Sequence, residues 1–396
     1  MLTEAVILLV LLLLAAAFVK GGFAFTVIYL FLGVYIVSLF WTRQSAKNIS
    51  CTRKFEKRIF LGEEVPILLE VQNKGWLPIP WLYVYESLPV ELAAGSSIKR
   101  VISLGPHGKS EVLYKLNAYK RGYYPVGPFT TKFGDTLGLA DVQELERQPD
   151  YITVYPRIIP FTNTKLPSRS PLGMMRHQQP IFEDPSRVRG KRDYVASDSL
   201  RRVDWKASAS TGRLQIKQFE PSIALQTEIF LNLNASEYVT KHRIDATELA
   251  IVVAASLANW AVIQKQAVGL TTNGVDGHFN NSSVQPIPSR KGRAHLIHIL
   301  DLLARIQATE TRPLTEMLDQ ETPKLPWGTT VVIITGSIQE DLFDEIFQIK
   351  RRGQSVVLII TGLGANIKLA SRQAKRFGFP IYAFPNEKSL DIWRRK

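Results

Sequence analysis

Asp204-Trp205-Lys206 places a carboxylate and an ammonium one residue apart, the acid-x-Lys order found in some nucleases. Asp198 lies six positions upstream, so a hydrolytic or nucleic-acid-directed centre using Asp198, Asp204 and Lys206 is one reading of this stretch. No second acidic cluster at helpful spacing accompanies it. The stretch itself, RDYVASDSLRRVDWKASASTGRLQIKQFE from Arg192 to Glu220, has no sustained helical or alternating period. Between Ser186 and Lys217 it carries nine Lys or Arg against three Asp, an excess that would bind phosphate without sequence preference. The acids are interleaved with the bases, however, which favours internal pairing. Only Tyr194, Trp205 and Phe219 are available to stack on bases, so nucleic acid is disfavoured as a partner.

Two further readings use the same residues. As an inter-domain clasp, Asp193, Asp198 and Asp204 pair with Arg192, Arg201 and Arg202 above a packed Trp205. Exposed ion pairs contribute only about 0–1 kcal/mol each, so this clasp requires the indole to be buried. As a docking face, the mixture of Arg, Tyr and Trp, with Lys206, matches the composition of protein interfaces. The two are compatible.

Other catalytic templates are missing. There is no Gly-x-x-x-x-Gly-Lys-Ser/Thr phosphate loop and no Gly-x-Ser-x-Gly elbow. His295 and His298 lie three apart on an expected helix without a third ligand in register for zinc. Cys51 is the single cysteine; it excludes an intramolecular disulfide framework and has no identified base.

The elements that must position these residues begin with two apolar runs. Leu2–Val19 and Phe23–Trp41 are separated by Lys20-Gly21-Gly22, and each approaches the ~20 residues a helix needs to cross a bilayer. Glu4 and the lack of a basic start argue against a signal peptide. A transmembrane helical hairpin over residues 1–41 is expected. Arg43, Lys47, Arg53, Lys54, Lys57 and Arg58 follow it against a single acid, Glu56, so the positive-inside bias puts residues 42–396 in the cytoplasm. The formal charge of +14 then suits a body tethered beside an anionic leaflet.

Residues 42–155 read as short strands between Pro and Gly turns, an antiparallel β-sandwich, with NKGWLPIPW at an edge or loop and Trp76 and Trp81 packing at its core or rim. Residues 156–225 form a polar connector and the charged segment. From 226 to 396, apolar strands (TEIFLNLN, QAVGLTT, TTVVIITG, SVVLIIT, PIYAFP) alternate with helices at 244–264, 293–307, 340–352 and 367–377. Such strands are buried on both faces, which predicts a doubly wound α/β domain with a parallel sheet. Asp245 is the expected N-cap of the first helix, and Gly353 and Gly378 stand where helices should stop.

RGYYPVGPF, FGDTLGL, VYPRI and the charged segment together resemble the bacterial membrane proteins that carry the "domain of unknown function 58". The resemblance extends from the apolar hairpin to the C-terminus. It implies a von Willebrand factor A-like, Rossmann-like fold for the α/β domain and an association with MoxR-type AAA+ ATPases. An A-type domain holds Mg²⁺ with an Asp-x-Ser-x-Ser run after its first strand, and hard cations need such oxygen ligands. Here Asn234, Ser236 and Tyr238 stand at those positions, and Gly336 then Ser337 where an Asp is usual. Two anionic ligands are missing, so the metal site is expected to be degenerate and no cofactor is expected. The resulting expectation is a non-enzymatic, integral inner-membrane adaptor with a cytoplasmic body that binds a protein partner in the assembly or maturation of complexes.

Overall fold

The computed structural model describes the chain apart from residues 1–21, 93–96, 136–137, 140–141, 161–182, 195–202, 222–225, 278–281, 363–366 and 394–396. The first apolar run therefore lies outside the described residues. The chain forms two compact units, Met1–Arg157 and Ile158–Lys396.

In the first unit, helix α1 (Gly22–Asn48) contains no proline and no charge before Arg43, and it runs directly into strand β1 (Ile49–Lys54). Phe23, Tyr29, Leu30, Ile36 and Phe40 are exposed along it, whereas Ser38, Thr42 and Ser45 form one buried stripe near its end. Its Phe25–Asn48 portion is long and apolar enough to cross a membrane and is a candidate span.

The rest of this unit is β-rich: β2 (Arg58–Phe60), β3 (Glu64–Asn73), β4 (Ile79–Ser87), β5 (Ser97–Leu104), β6 (Lys109–Asn117), β7 (Gly122–Val126), β8 (Phe129–Phe133), β9 (Gln143–Arg147) and β10 (Asp150–Tyr155). They pair as β1-β3-β6, β2-β10-β7 and β5-β4-β8-β9. All pairs are antiparallel except β2 with β10. Alternation along β3 sends Val65, Ile67, Leu69 and Val71 inward. Leu69 and Val71 share a cluster with Leu82, Val84 and Phe133, so the sheet of β3 faces that of β4 and β8.

Within this core Glu86 is fully buried. It accepts from Arg53 Nε at 2.7 Å and from the Tyr114 hydroxyl at 2.6 Å, and Arg53 also pairs with Asp150. Cys51 is buried, and burial pushes its thiol up to about 11, which disfavours the thiolate.

The second unit opens with an antiparallel arm, β11 (Glu183–Asp193) against β12 (Gln215–Pro221), with the short helix α2 (Trp205–Thr211) between them. The main sheet comprises β13 (Gln226–Leu231), β14 (Ala267–Thr272), β17 (Ile287–Arg290), β19 (Thr330–Thr335), β20 (Ser355–Thr361) and β21 (Ile381–Phe384). Between β14 and β19 a small ribbon pairs β15 (Val275–Asp276) with β16 (Ser282–Ser283) and β18 (Ile306–Gln307).

The main sheet's order is β17-β14-β13-β19-β20-β21. Five of its strands are parallel, but β17 is antiparallel to β14, so the sheet is mixed rather than all parallel. Pro288 supplies no backbone N–H, which suits β17 to the edge it occupies.

Helices α3 (Arg243–Ile263), α4 (Arg293–Arg305), α5 (Leu314–Glu321), α6 (Glu340–Arg351) and α7 (Ile367–Phe377) connect these strands. Phe230, Met317, Val331, Ile333, Ile346 and Leu358 belong to the core on one side of the sheet. Thr240–Ile263 also has the length and apolarity of a membrane span, but it is 72% buried and is a core helix. Gly353 and Gly378 follow α6 and α7 with positive φ, the left-handed stop expected there. Asp245 lies inside the first turn of α3 and is not its cap; His242 holds that position without a side-chain bond.

Candidate functional site

At the tip of the arm, the backbone holds the charged segment in a fixed register. Arg192 stands opposite Ile216 and Asp193 opposite Gln215. The Tyr194 N–H donates to Leu214 O at 2.9 Å, and the Asp204 N–H to Gln215 O at 2.8 Å. Val203 bridges Ile216, and both are buried.

Asp204 caps α2, accepting from the Ala207 N–H at 3.1 Å, and its other oxygen meets Lys191 Nζ at 3.0 Å. The Lys191 ammonium and the Ala207 amide hold its carboxyl below the usual range. Ser208 Oγ accepts the Gln215 N–H at 2.8 Å, and Gly212 closes the helix with φ 68°. A seven-residue helix is thus tied to Gln215 of β12 through its N-cap and through Ser208 near its middle.

On this support Trp205 is 69% exposed, with Lys206 beside it and Leu214 also exposed. Trp205 is exposed, Asp204 pairs with Lys191, and Asp193 accepts from the Gln215 side chain while Arg192 donates to the Asp193 carbonyl at 3.1 Å. Asp204 turns toward the helix's own amides, and Trp205 follows it at the first helical position. Capping also commits Asp204 to a structural role. Asp198, Arg201 and Arg202 lie outside the described residues.

A second constellation lies at the carboxyl ends of β13 and β19, where the strand order reverses and open α/β sheets place their ligand crevices. Asn232, fully buried, donates to Glu237 at 2.8 Å and to Thr335 Oγ1 at 3.0 Å. The Glu237 carboxylate also accepts from Asn234 Nδ2 at 3.2 Å and the Leu314 N–H at 3.1 Å. Asn273 donates to Asn232 Oδ1 at 2.9 Å and to Arg312 O at 2.9 Å. Asn234 Oδ1 accepts from Ser236 Oγ at 2.9 Å and from the Thr311 N–H at 3.3 Å.

Tyr238 is buried, and its hydroxyl donates to Asn232 O at 2.6 Å. Its ring occupies the space above Gly336, where an added Cβ would come within 2.0 Å of Cδ1. The positions compared with an A-type Mg²⁺ site carry the Asn234 amide, the Ser236 hydroxyl, the Tyr238 ring and the bare backbone of Gly336, and the nearby Glu237 carboxylate is engaged by Asn232, Asn234 and the Leu314 N–H. This donor set does not fit a hard divalent ion. Among the described residues no group of three or more His, Cys, Asp or Glu is arranged to hold a metal.

Asn232, Glu237, Asn273 and Thr335 were not singled out from sequence. The one available signal was FLNLNASE, an apolar strand ending in Asn-x-Asn with Glu three residues after the second Asn, the spacing of a local side-chain-to-backbone cap. Gly336→Ala is expected to cost about 1–3 kcal/mol by overpacking. Hydrogen exchange of the β19 amides in the detergent-solubilised chain would report it, and wild-type protection would show that Tyr238 has room to move.

Residues 190–362, the arm tip through β20, match the family described as "Protein of unknown function DUF58". The chain is also 23% identical over 334 residues, 82% of its own length and 80% of the relative's, to "Uncharacterized protein YeaD" of Bacillus subtilis. Both matches support the DUF58 family, and neither indicates a catalytic family.

Among solved structures, an aerotolerance-related membrane protein from Bacteroides fragilis, with multiple mutations to serines, aligns at 13% identity and TM-score 0.31, covering 43% of this chain and 95% of that one. Proximal thread matrix protein 1 from the mussel byssus aligns at 11% identity and TM-score 0.33, covering 44% and 47%.

Proposed function

We propose that the chain is a non-enzymatic adaptor of the bacterial inner membrane, with residues 42–396 in the cytoplasm and the arm tip docking a protein partner. The solvent-facing Trp205, presented by a helix tied to Gln215 at its N-cap and at Ser208, carries this reading. A rigid exposed indole among Arg, Lys and Leu side chains loses little entropy on being covered, which is how interface anchors act.

In this reading the β-rich unit is a sandwich spacer and the α/β unit is von Willebrand factor A-like. The strand order β17-β14-β13-β19-β20-β21, with an antiparallel β17 at one edge, supports the latter. The buried amide–carboxylate network around Glu237 stands in place of a metal and makes the crevice a constitutive framework. Clefts of about 390 and 440 Å³ beside it, lined in part by Asp245 and Glu387 and by Asn273 and Arg312 respectively, give further room for a partner.

The family resemblance points to a MoxR-type AAA+ ATPase as that partner. With the full chain in detergent and a purified MoxR-type ATPase from the same organism, Trp205→Ala should weaken binding by at least about tenfold, as loss of an interface anchor does. Backbone exchange protection of β12 should be unchanged. Undiminished binding, or metal-stimulated turnover of DNA that disappears in Asp204→Ala, would sink the proposal.

A further inference from the structure

The membrane end of the first unit carries a second exposed tryptophan with its own support. The exposed apolar band of α1 runs from Phe23 to Phe40, and the first exposed cation is Arg43. That band is about 26 Å long, close to the ~30 Å hydrocarbon core, which sets the boundary near Trp41. Trp41 Nε1 donates to Pro78 O at 2.9 Å, and about 10 Å further along the helix the Asn48 carbonyl accepts the Lys74 N–H at 2.8 Å. The loop from Lys74 to Pro78 is therefore braced to α1 at two heights, and Trp76 falls between them.

The polar layer of a leaflet is about 5–8 Å thick, so Trp76 stands at headgroup depth. It is 65% exposed, whereas its neighbours Leu77 and Ile79 are buried. The loop is also rigid. Asn73 Nδ2 donates to Leu77 O at 2.7 Å and to Gly105 O at 3.0 Å, and the Gly75 O accepts the His107 N–H at 2.9 Å. Gly75 lacks a side chain where a Cβ would meet the Asn48 amide at 2.9 Å. Lys47 and Lys74, both exposed, flank it with charge complementary to phosphate.

We infer that the β-rich unit is seated on the bilayer, with Trp76 embedded in the phospholipid headgroup layer as an interfacial anchor. The inference rests on α1 spanning the membrane. It makes the first unit one rigid post rather than a body hanging on a tether, so a flexible juxtamembrane joint has no place in it.

Trp76→Cys, Phe31→Cys and Lys241→Cys in the full chain can be labelled with one fluorophore, because native Cys51 is buried. The labelled chains are placed in phosphatidylethanolamine/phosphatidylglycerol vesicles containing no other protein. The label at 76 should be quenched by headgroup-tagged lipid several-fold more than by lipid tagged at the chain end, and several-fold less by aqueous iodide than the label at 241. The label at 31 should be quenched by chain-tagged lipid. If 31 is quenched as expected but 76 is as open to iodide as 241, the interfacial anchor is overturned while the membrane span stands. If 31 is not quenched by lipid, the span fails and the anchor with it. Shielding of 76 in native membranes but not in pure lipid vesicles would assign the surface to a protein and overturn the lipid assignment.

Discussion

Glu86→Ala should destabilise the first unit by about 3–5 kcal/mol, the largest effect expected of any single substitution described above. Glu86 is fully buried, and the side chain of Arg53 is 5% exposed. Removing the carboxylate leaves a buried guanidinium with only the half-exposed Asp150 to face, and it strands the Tyr114 hydroxyl. Burial and the adjoining Glu86 push that hydroxyl well above the ordinary phenol range, so it remains a donor in need of an acceptor. Taking the whole set out of the core is a different matter, because well-packed apolar residues can replace a buried ion pair at little cost. The triple change Arg53→Met, Glu86→Leu, Tyr114→Phe should therefore recover most of the loss. Hydrogen exchange of the β4 and β6 amides in the detergent-solubilised chain measures both, and a loss below about 1 kcal/mol for Glu86→Ala would show that water reaches Arg53.

The second large effect depends on pH and arises in the other unit. Glu228 lies in central strand β13, 3% exposed, and burial raises its carboxyl from 4.5 to about 7. Ser289 Oγ at 2.7 Å and Thr271 Oγ1 at 3.2 Å donate to it, and Gly269 leaves the space it fills, since a Cβ there would lie 2.1 Å from Oε2. The folded state thus favours the protonated form more than the unfolded state does. Its contribution to stability is complete below about 4.5, falls as pH rises, and is gone above about 7. At 1.36 kcal/mol per unit the whole change is about 3 kcal/mol. Glu228→Gln keeps the shape without the charge, so it should match wild type near pH 4.5, exceed it near pH 8, and flatten the profile between. Exchange-derived stabilities of β13 and β14 at pH 5–8, corrected for intrinsic rates, test this. A variant as pH-dependent as wild type over that range would assign the slope to another group.

Periodic segments were legible because one face or both faces of an element recorded their own burial. The helices expected at 244–264, 293–307, 340–352 and 367–377 appear as Arg243–Ile263, Arg293–Arg305, Glu340–Arg351 and Ile367–Phe377. The arm was illegible for the opposite reason. Among the described residues its two strands form a sheet of their own, with register shifts near Val188 and Gly190, and their sequences show no alternating apolar period. β17 escaped notice because a strand of four residues with a proline reads as a turn.

The amino-acid sequence by itself determined the apolar helix, the β-rich stretch and the alternating α/β stretch, since each follows from residue type and local spacing. Only the tertiary structure decided which way the functional side chains face. Trp205 is exposed on the helix that Asp204 caps, and Cys51 is shut away from solvent. The buried partners Glu86 with Arg53 and Glu237 with Asn232 likewise became visible only in three dimensions. The first two are 33 residues apart along the chain, and the network around Asn232 reaches Thr335 across 103. Desolvation acts on groups that folding brings together, and local spacing carries no record of it.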